Sequence, residues 1–87
     1  MIKTVYKLTA KTINDNFIID QVYFSSKNKA FKSLEYLKQY CIDNYNLNDN
    51  NINHYYNYKT IQTYIIDNTV IVSLINYSIT TLTQKYI

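Results

Sequence analysis

Apolar and polar residues alternate from the first residues of the chain. Ile2, Tyr6, Leu8 and Ala10 fall on one side, and Lys3, Val5, Lys7, Thr9 and Lys11 on the other. A period of two with lysines on the outer side predicts a half-buried strand with one wet face. Ile13-Asn14-Asp15-Asn16 supplies a turn, since Asn and Asp tolerate positive φ better than other residues with a Cβ. Phe17 to Phe24 reads as a second strand, with Ile18, Val22 and Phe24 on one side and Phe17, Ile19 and Tyr23 on the other. Asp20 interrupts the first of these sides. The short connection makes the two strands a hairpin.

The period then changes. Ala30, Leu34, Leu37, Cys41 and Tyr45 recur at intervals of three and four, widened by Phe31 and Ile42, which predicts an amphipathic helix from Lys27 to about Tyr45. Ser25-Ser26 offers the N-cap. Lys32, Glu35, Lys38, Gln39 and Asp43 take the wet side, with Glu35 and Lys38 spaced to pair. Lys27 and Lys29 in the first turn oppose the helix dipole, which hints at another use for their charge. Asn46 to Asn53 is a polar loop, anchored by Leu47 and Ile52 and expected to be the most mobile part of the chain. His54 to Ile66 is rich in aromatic and β-branched residues, Asp67-Asn68 makes a tight turn, and Thr69 to Ile79 forms a long strand. The expected fold is α+β: an antiparallel sheet in the order ββαββ with the helix on one face. It has four strands, or five if residues 80–87 add one. One domain spans residues 1–87.

Composition changes this picture mainly by what is missing. The chain has no Gly, Pro or Trp, all nine of its basic residues are Lys, and it has eleven tyrosines. Lys, Asn, Ile and Tyr have AT-rich codons, whereas Gly, Pro, Ala and most Arg codons are GC-rich. The bias therefore points to an AT-rich genome, such as a low-GC bacterium or its phages and mobile elements, before it points to a chemistry. The strand at the very start leaves no room for a signal peptide, no apolar run reaches the ~20 residues of a membrane span, and a lone Cys41 can form no internal disulfide. A reducing cytoplasm is the expected compartment.

No constellation for catalysis is visible, and the chain is read as a non-enzyme without cofactor or metal. Phosphate loops that depend on glycine cannot be written here. His54 is the only histidine and stands apart from any carboxylate cluster. Cys41 falls on the apolar helix stripe, where it reads as a small core residue. Asp15, Asp20, Glu35, Asp43, Asp49 and Asp67 are scattered among turns and wet faces.

Binding is the remaining class, and two surfaces offer it. In His54-Tyr55-Tyr56-Asn57-Tyr58-Lys59, Tyr56 and Tyr58 share one side, which His54 and Tyr64 extend, while Tyr55 takes the other. Only one face of the sheet can lie beneath the helix, so some of these rings are expected to be exposed. Tyrosine beside Asn offers contact area and hydrogen-bonding tips suited to a protein partner. Tyr55, Tyr56, Asn57, Tyr58, Lys59 and Tyr64 are the expected partner contacts, with the 46–53 loop. Cross-strand tiling of a sheet surface is the plainer account of the same rings. The alternative surface is basic. With a net charge of +3, Lys3, Lys7, Lys11, Lys27 and Lys29 could track phosphates, with tyrosines stacking on bases. Against this, Arg is absent, and lysine on an edge strand also serves to discourage sheet-to-sheet aggregation.

Val22-Tyr23-Phe24-Ser25-Ser26-Lys27-Asn28-Lys29-Ala30, followed by Leu34-Glu35-Tyr36-Leu37, resembles a pattern of small phage and mobile-element proteins. In that pattern a strand ends on an aromatic residue, and Ser and Lys open a helix. Size, bias and layout also look like the anti-CRISPR inhibitors, which are short, diverse proteins that bind host effector complexes. That group shares no motif, so no residue role carries over, and the basic balance here departs from its acidic DNA mimics. The resemblance implies a phage- or mobile-element-encoded inhibitor that contacts a host protein or ribonucleoprotein complex. A small nucleic-acid-binding accessory protein is the alternative, and a homodimer by sheet extension is compatible with either.

Overall fold

A computed structural model of the chain describes residues 2–55 and 60–80. Its elements are β1 (Ile2–Thr12), β2 (Ile18–Phe24), α1 (Lys27–Tyr45), β3 (Ile52–Tyr55), β4 (Thr60–Ile66) and β5 (Val70–Thr80). The five strands form one antiparallel sheet in the order β2-β1-β5-β4-β3, and α1 packs across one face. The α+β class, the first hairpin and the single helix are as the hydrophobic pattern predicts. The fifth strand has a different origin from the expected one. The run from His54 to Ile66 is not one strand: it holds the end of β3 and all of β4, which pair with each other from Ile52↔Ile66 to Tyr55↔Thr63. Nothing between them carries the Gly or Pro that marks a turn in most sequences, so the run reads as continuous. Residues 81–87 lie outside the described residues.

The turns work without glycine by using Asn and Asp. Asn16, Asn46, Asp67 and Asn68 all adopt positive φ. Asp67 and Asn68, with φ of 51° and 49°, are the central residues of the turn in the three-residue β4–β5 connection, closed by a hydrogen bond from the Thr69 N–H to the Ile66 carbonyl at 3.0 Å. Positive φ at both central residues is what the right-handed twist of a tight hairpin requires. Helix α1 begins at Ser26, whose hydroxyl accepts from the Lys29 N–H at 3.3 Å, and ends on Asn46 in the left-handed conformation.

Ala30, Leu34, Leu37, Cys41 and Ile42 of the helix are buried against Leu8, Ala10, Tyr64, Ile66, Val70, Val72 and Leu74 of the sheet. Both alanines of the chain are fully buried in this layer, where small side chains let helix and sheet pack closely. Tyr45 leaves the predicted stripe and is exposed, because the helix ends at the next residue. Cys41 is fully buried in this layer, and burial, with the charge of Asp20 a smaller cause, pushes its thiol up to about 11. The loop after α1, expected to be the most mobile segment, is tied down. The Asp67 carboxylate accepts from the Asn48 N–H at 3.0 Å and from Asn51 Nδ2 at 3.3 Å, and the Asp67 N–H donates to the Asn51 carbonyl at 2.7 Å. Leu47 and Ile52 anchor it against the core as predicted.

Candidate functional site

One helix covers one face of the sheet, and among the described residues no element covers the other. Cross-strand register sets out that open face row by row. Tyr55, Thr63, Ser73, Thr9 and Gln21 lie opposite one another across all five strands. The next row is Asn53, Ile65, Ile71, Lys11 and Ile18, and on the other side Ile75, Lys7 and Tyr23 are aligned. Lys7, Thr9, Lys11, Ile18, Gln21, Ser73 and Ile75 line a shallow depression of about 280 Å³ over β2, β1 and β5. Tyr23 and Tyr55 stand half-exposed on the two outer strands, and the Lys7 ammonium lies 6.0 Å from the centre of the Tyr23 ring.

Two residues reach this face in a way the alternation does not predict. Ile18 was expected to share a side with Val22 and Phe24. The register between β1 and β2 shifts between Ala10 and Lys11, which pair with Asp20 and Ile18. The extra residue, Ile19, forms a bulge and turns towards the helix, and Ile18 turns to the open side with Tyr23. Asp20, which broke the sequence pattern, is correspondingly on the helix side.

Charge is sorted between the faces. All six side-chain carboxylates lie within the described residues, and none is on the open face. Asp15 and Asp67 are in turns, Asp49 is in the loop, Glu35 and Asp43 are on α1, and Asp20 lies on the helix side of β2. Lys7 and Lys11 stand on β1, which is not an edge strand: it pairs with β2 on one side and with β5 on the other. The expectation that these lysines guard a sheet edge is thereby corrected. Lys3 belongs to the same strand, opposite Ile79. Lys27 and Lys29 are exposed in the first turn of α1, away from the open face.

The structure divides the expected partner contacts. Tyr55 is 52% exposed and belongs to the open face. Tyr64 does not: at 4% exposure it is a core residue. It shares a face with His54, its partner across the β3–β4 pairing and not its neighbour along one strand, with ring centres 4.4 Å apart, and that face is the one beneath the helix. Tyr56, Asn57, Tyr58 and Lys59 lie outside the described residues.

Tyr64 instead anchors a polar cluster along one margin of α1. Its hydroxyl donates to Glu35 Oε2 at 2.6 Å and accepts from Gln62 Nε2 at 2.7 Å. Glu35 Oε1 accepts from Lys38 Nζ at 2.9 Å, and that ammonium lies 4.7 Å from the Tyr64 ring centre. Partial burial acts to raise the Glu35 carboxyl. The Tyr64 hydroxyl and Lys38 outweigh it, with a smaller contribution from His54, and hold it below its ordinary range. These groups satisfy one another and lock the helix to β4.

A second concavity, of about 390 Å³, runs between α1 and β2. It is lined by Leu8, Ile19, Asp20, Val22 and Phe24 of the sheet and by Ser33, Tyr36, Leu37 and Tyr40 of the helix. Among the described residues no three His, Cys, Asp or Glu side chains gather as a metal-binding group, and no helix is long and apolar enough to cross a membrane. No family model matches the chain, and neither a curated protein sequence nor a solved structure matches it.

Proposed function

We propose that this is a binding protein that docks a protein partner against the open face of its sheet. In its most concrete form it is a phage- or mobile-element-encoded inhibitor of a host protein or ribonucleoprotein complex, acting in the host cytoplasm. One observation carries the reading. In β5, Val70, Val72 and Leu74 are buried under the helix, while Ile71 and Ile75 on the other side stand half-buried with nothing described above them. A strand apolar on both sides is the pattern of a strand covered on both sides. Ile65, Ile18, Tyr23 and Tyr55 lie on the same face, and apolar side chains gathered on a face in this way, interleaved with polar ones, suit an interaction site. With Lys7 and Lys11 on it and no carboxylate among its described residues, the face suits a partner that is itself acidic.

The experiment is affinity capture from host lysate with the wild type and with a Lys11→Glu/Tyr55→Ser variant, altered only at side chains of the open face. A host protein retained by the wild type and lost by the variant supports the reading, and one retained equally by both removes the open face as the contact. The lysines also favour a second reading, in which the same face holds single-stranded nucleic acid with bases stacked on Tyr23 or Tyr55. Two or three lysines would give a log–log salt slope of only roughly −1.5 to −2. Salt titration of short DNA and RNA oligonucleotides distinguishes the two. Binding with that slope, abolished by Lys7→Glu/Lys11→Glu, would favour nucleic acid over protein.

A further inference from the structure

The sheet has two outer strands among the described residues, β2 and β3, and they differ in kind. Strand β3 is four residues long and polar, with Asn53 and His54 exposed. Strand β2 is seven residues long, with no proline and no lysine; the bulge at Ile19 and the inward-facing Asp20 guard its leading part, and the stretch from Gln21 to Phe24 carries neither device. Large apolar side chains crowd both sides of it. Phe17 just before the strand and Ile18 and Tyr23 on it are exposed, and on the helix beside it Tyr36 and Tyr40 are exposed at 73% and 43%. The groove between strand and helix is otherwise lined mainly by aliphatic residues. The Gln21–Phe24 stretch is thus an edge flanked by apolar side chains and open to pairing.

Its charges indicate with what. Asp15 lies in the turn that leads into β2, and Asp20 is the third residue of the strand. Its trailing end runs into Lys27, Lys29 and Lys32, with no carboxylate before Glu35. An identical strand laid antiparallel along β2 sets each acidic end against the other's basic end. We propose that the protein forms a two-fold homodimer by antiparallel pairing of β2 with β2 of a second copy. The result is a continuous ten-stranded sheet with both helices on one face. Such an interface is isologous, so a surface complementary to itself under a two-fold rotation is what it requires. Tyr36 and Tyr40 of each copy then cover the groove of the other, the role that interface tyrosines commonly fill. Both open faces end up side by side on the opposite surface, so the inference stands apart from what that face binds.

Sedimentation velocity and light scattering on the full chain, from roughly 1 µM to 1 mM, test this. The expected species is twice the 10.4 kDa monomer. Tyr23→Lys/Tyr36→Lys, at exposed positions that leave the core intact, should weaken association by at least about tenfold. Charge reversal gives the sharper arm. Asp15→Lys/Asp20→Lys and Lys27→Glu/Lys29→Glu should each weaken the dimer, and the four changes together should restore it. Glutamate in the first helical turn favours the helix, so dimer loss in the second variant cannot be laid to unfolding. A protein that stays monomeric to the top of the range overturns the proposal. So does a dimer indifferent to these changes but dissociated by Tyr55→Lys on β3.

Discussion

Tyr64 shows how one side chain can look like a contact residue and serve as a strut. Its ring fills the core, and its hydroxyl carries one hydrogen bond to Glu35 and one from Gln62. Tyr64→Phe keeps the packing and loses both bonds, and since Glu35 can turn to water the expected loss is about 1–2 kcal/mol. Urea denaturation at neutral pH measures it. The same contact predicts a pH dependence. Glu35 titrates lower in the folded protein than its ordinary value of 4.5. Its contribution is therefore complete above that value and is lost as pH falls through the folded pKa. Wild-type stability should drop in that acid window, and Glu35→Gln should lose that part of the drop. Equal acid sensitivity in the two proteins would show that the carboxylate does not matter to the fold. Sequence alone set Tyr64 and His54 on one side of a single ideal strand, whereas they face each other across the pairing of β3 with β4. It could not show which side the helix covers, because that depends on the strand order.

At the scale of elements, the helix was the most legible part of the chain. Ala30, Leu34, Leu37, Cys41 and Ile42 are the buried stripe that the spacing indicates, and Ser26 is the cap. The strands were legible in type and misleading in detail. The bulge at Ile19 exchanges the sides of Ile18 and its neighbours, and the run from His54 to Ile66 conceals a reversal, since an AT-biased chain makes its turns without Gly or Pro. Of the candidate site, Lys7, Lys11 and Tyr55 could be named from the sequence, whereas Ile71, Ile75 and Tyr23 became site residues only when the open face was seen. The apolar run of β5 was the available signal for the two isoleucines. The helix also carries a testable imperfection: its first turn has no acidic residue and its last turn no basic one. Ser26→Ala should cost about 1 kcal/mol by removing the cap. Lys27→Glu should gain about 0.3–1 kcal/mol at low salt, by placing negative charge at the positive end of the dipole. For a domain of this size each kilocalorie moves Tm by about 4–8 °C, so thermal melts can resolve the two opposite shifts. A Lys27→Glu variant that melts lower than the wild type would mean that Lys27 makes a favourable contact outweighing the dipole.

For the whole molecule, the decisive contact is the one that local sequence reading is least able to find. Strand β1 pairs with β5 along its full length, from Ile2↔Thr80 to Thr12↔Val70, joining residues 58 to 78 positions apart (70 − 12 and 80 − 2). This pairing makes β1 an interior strand, turns its lysines from edge guards into the centre of a face, and leaves β2 at the margin. It also divides the core unevenly. The segment up to Asn46 holds β1, β2 and α1, but the helix rests its buried stripe on Ile66, Val70, Val72 and Leu74 as well as on Leu8 and Ala10. A peptide of residues 1–46 would thus expose much of that stripe, and it is expected to be largely unstructured by far-ultraviolet circular dichroism. In the full chain, neither half can be lost alone, so urea unfolding followed by circular dichroism and by tyrosine fluorescence should give superimposable transitions. Folding should be slow for a chain of this length, in milliseconds to seconds, because the pairing that completes the core must close the longest loop first. Separate transitions, or a 1–46 peptide that folds cooperatively, would mean that the ββα unit stands without β5 and that the long-range pairing only docks two finished halves.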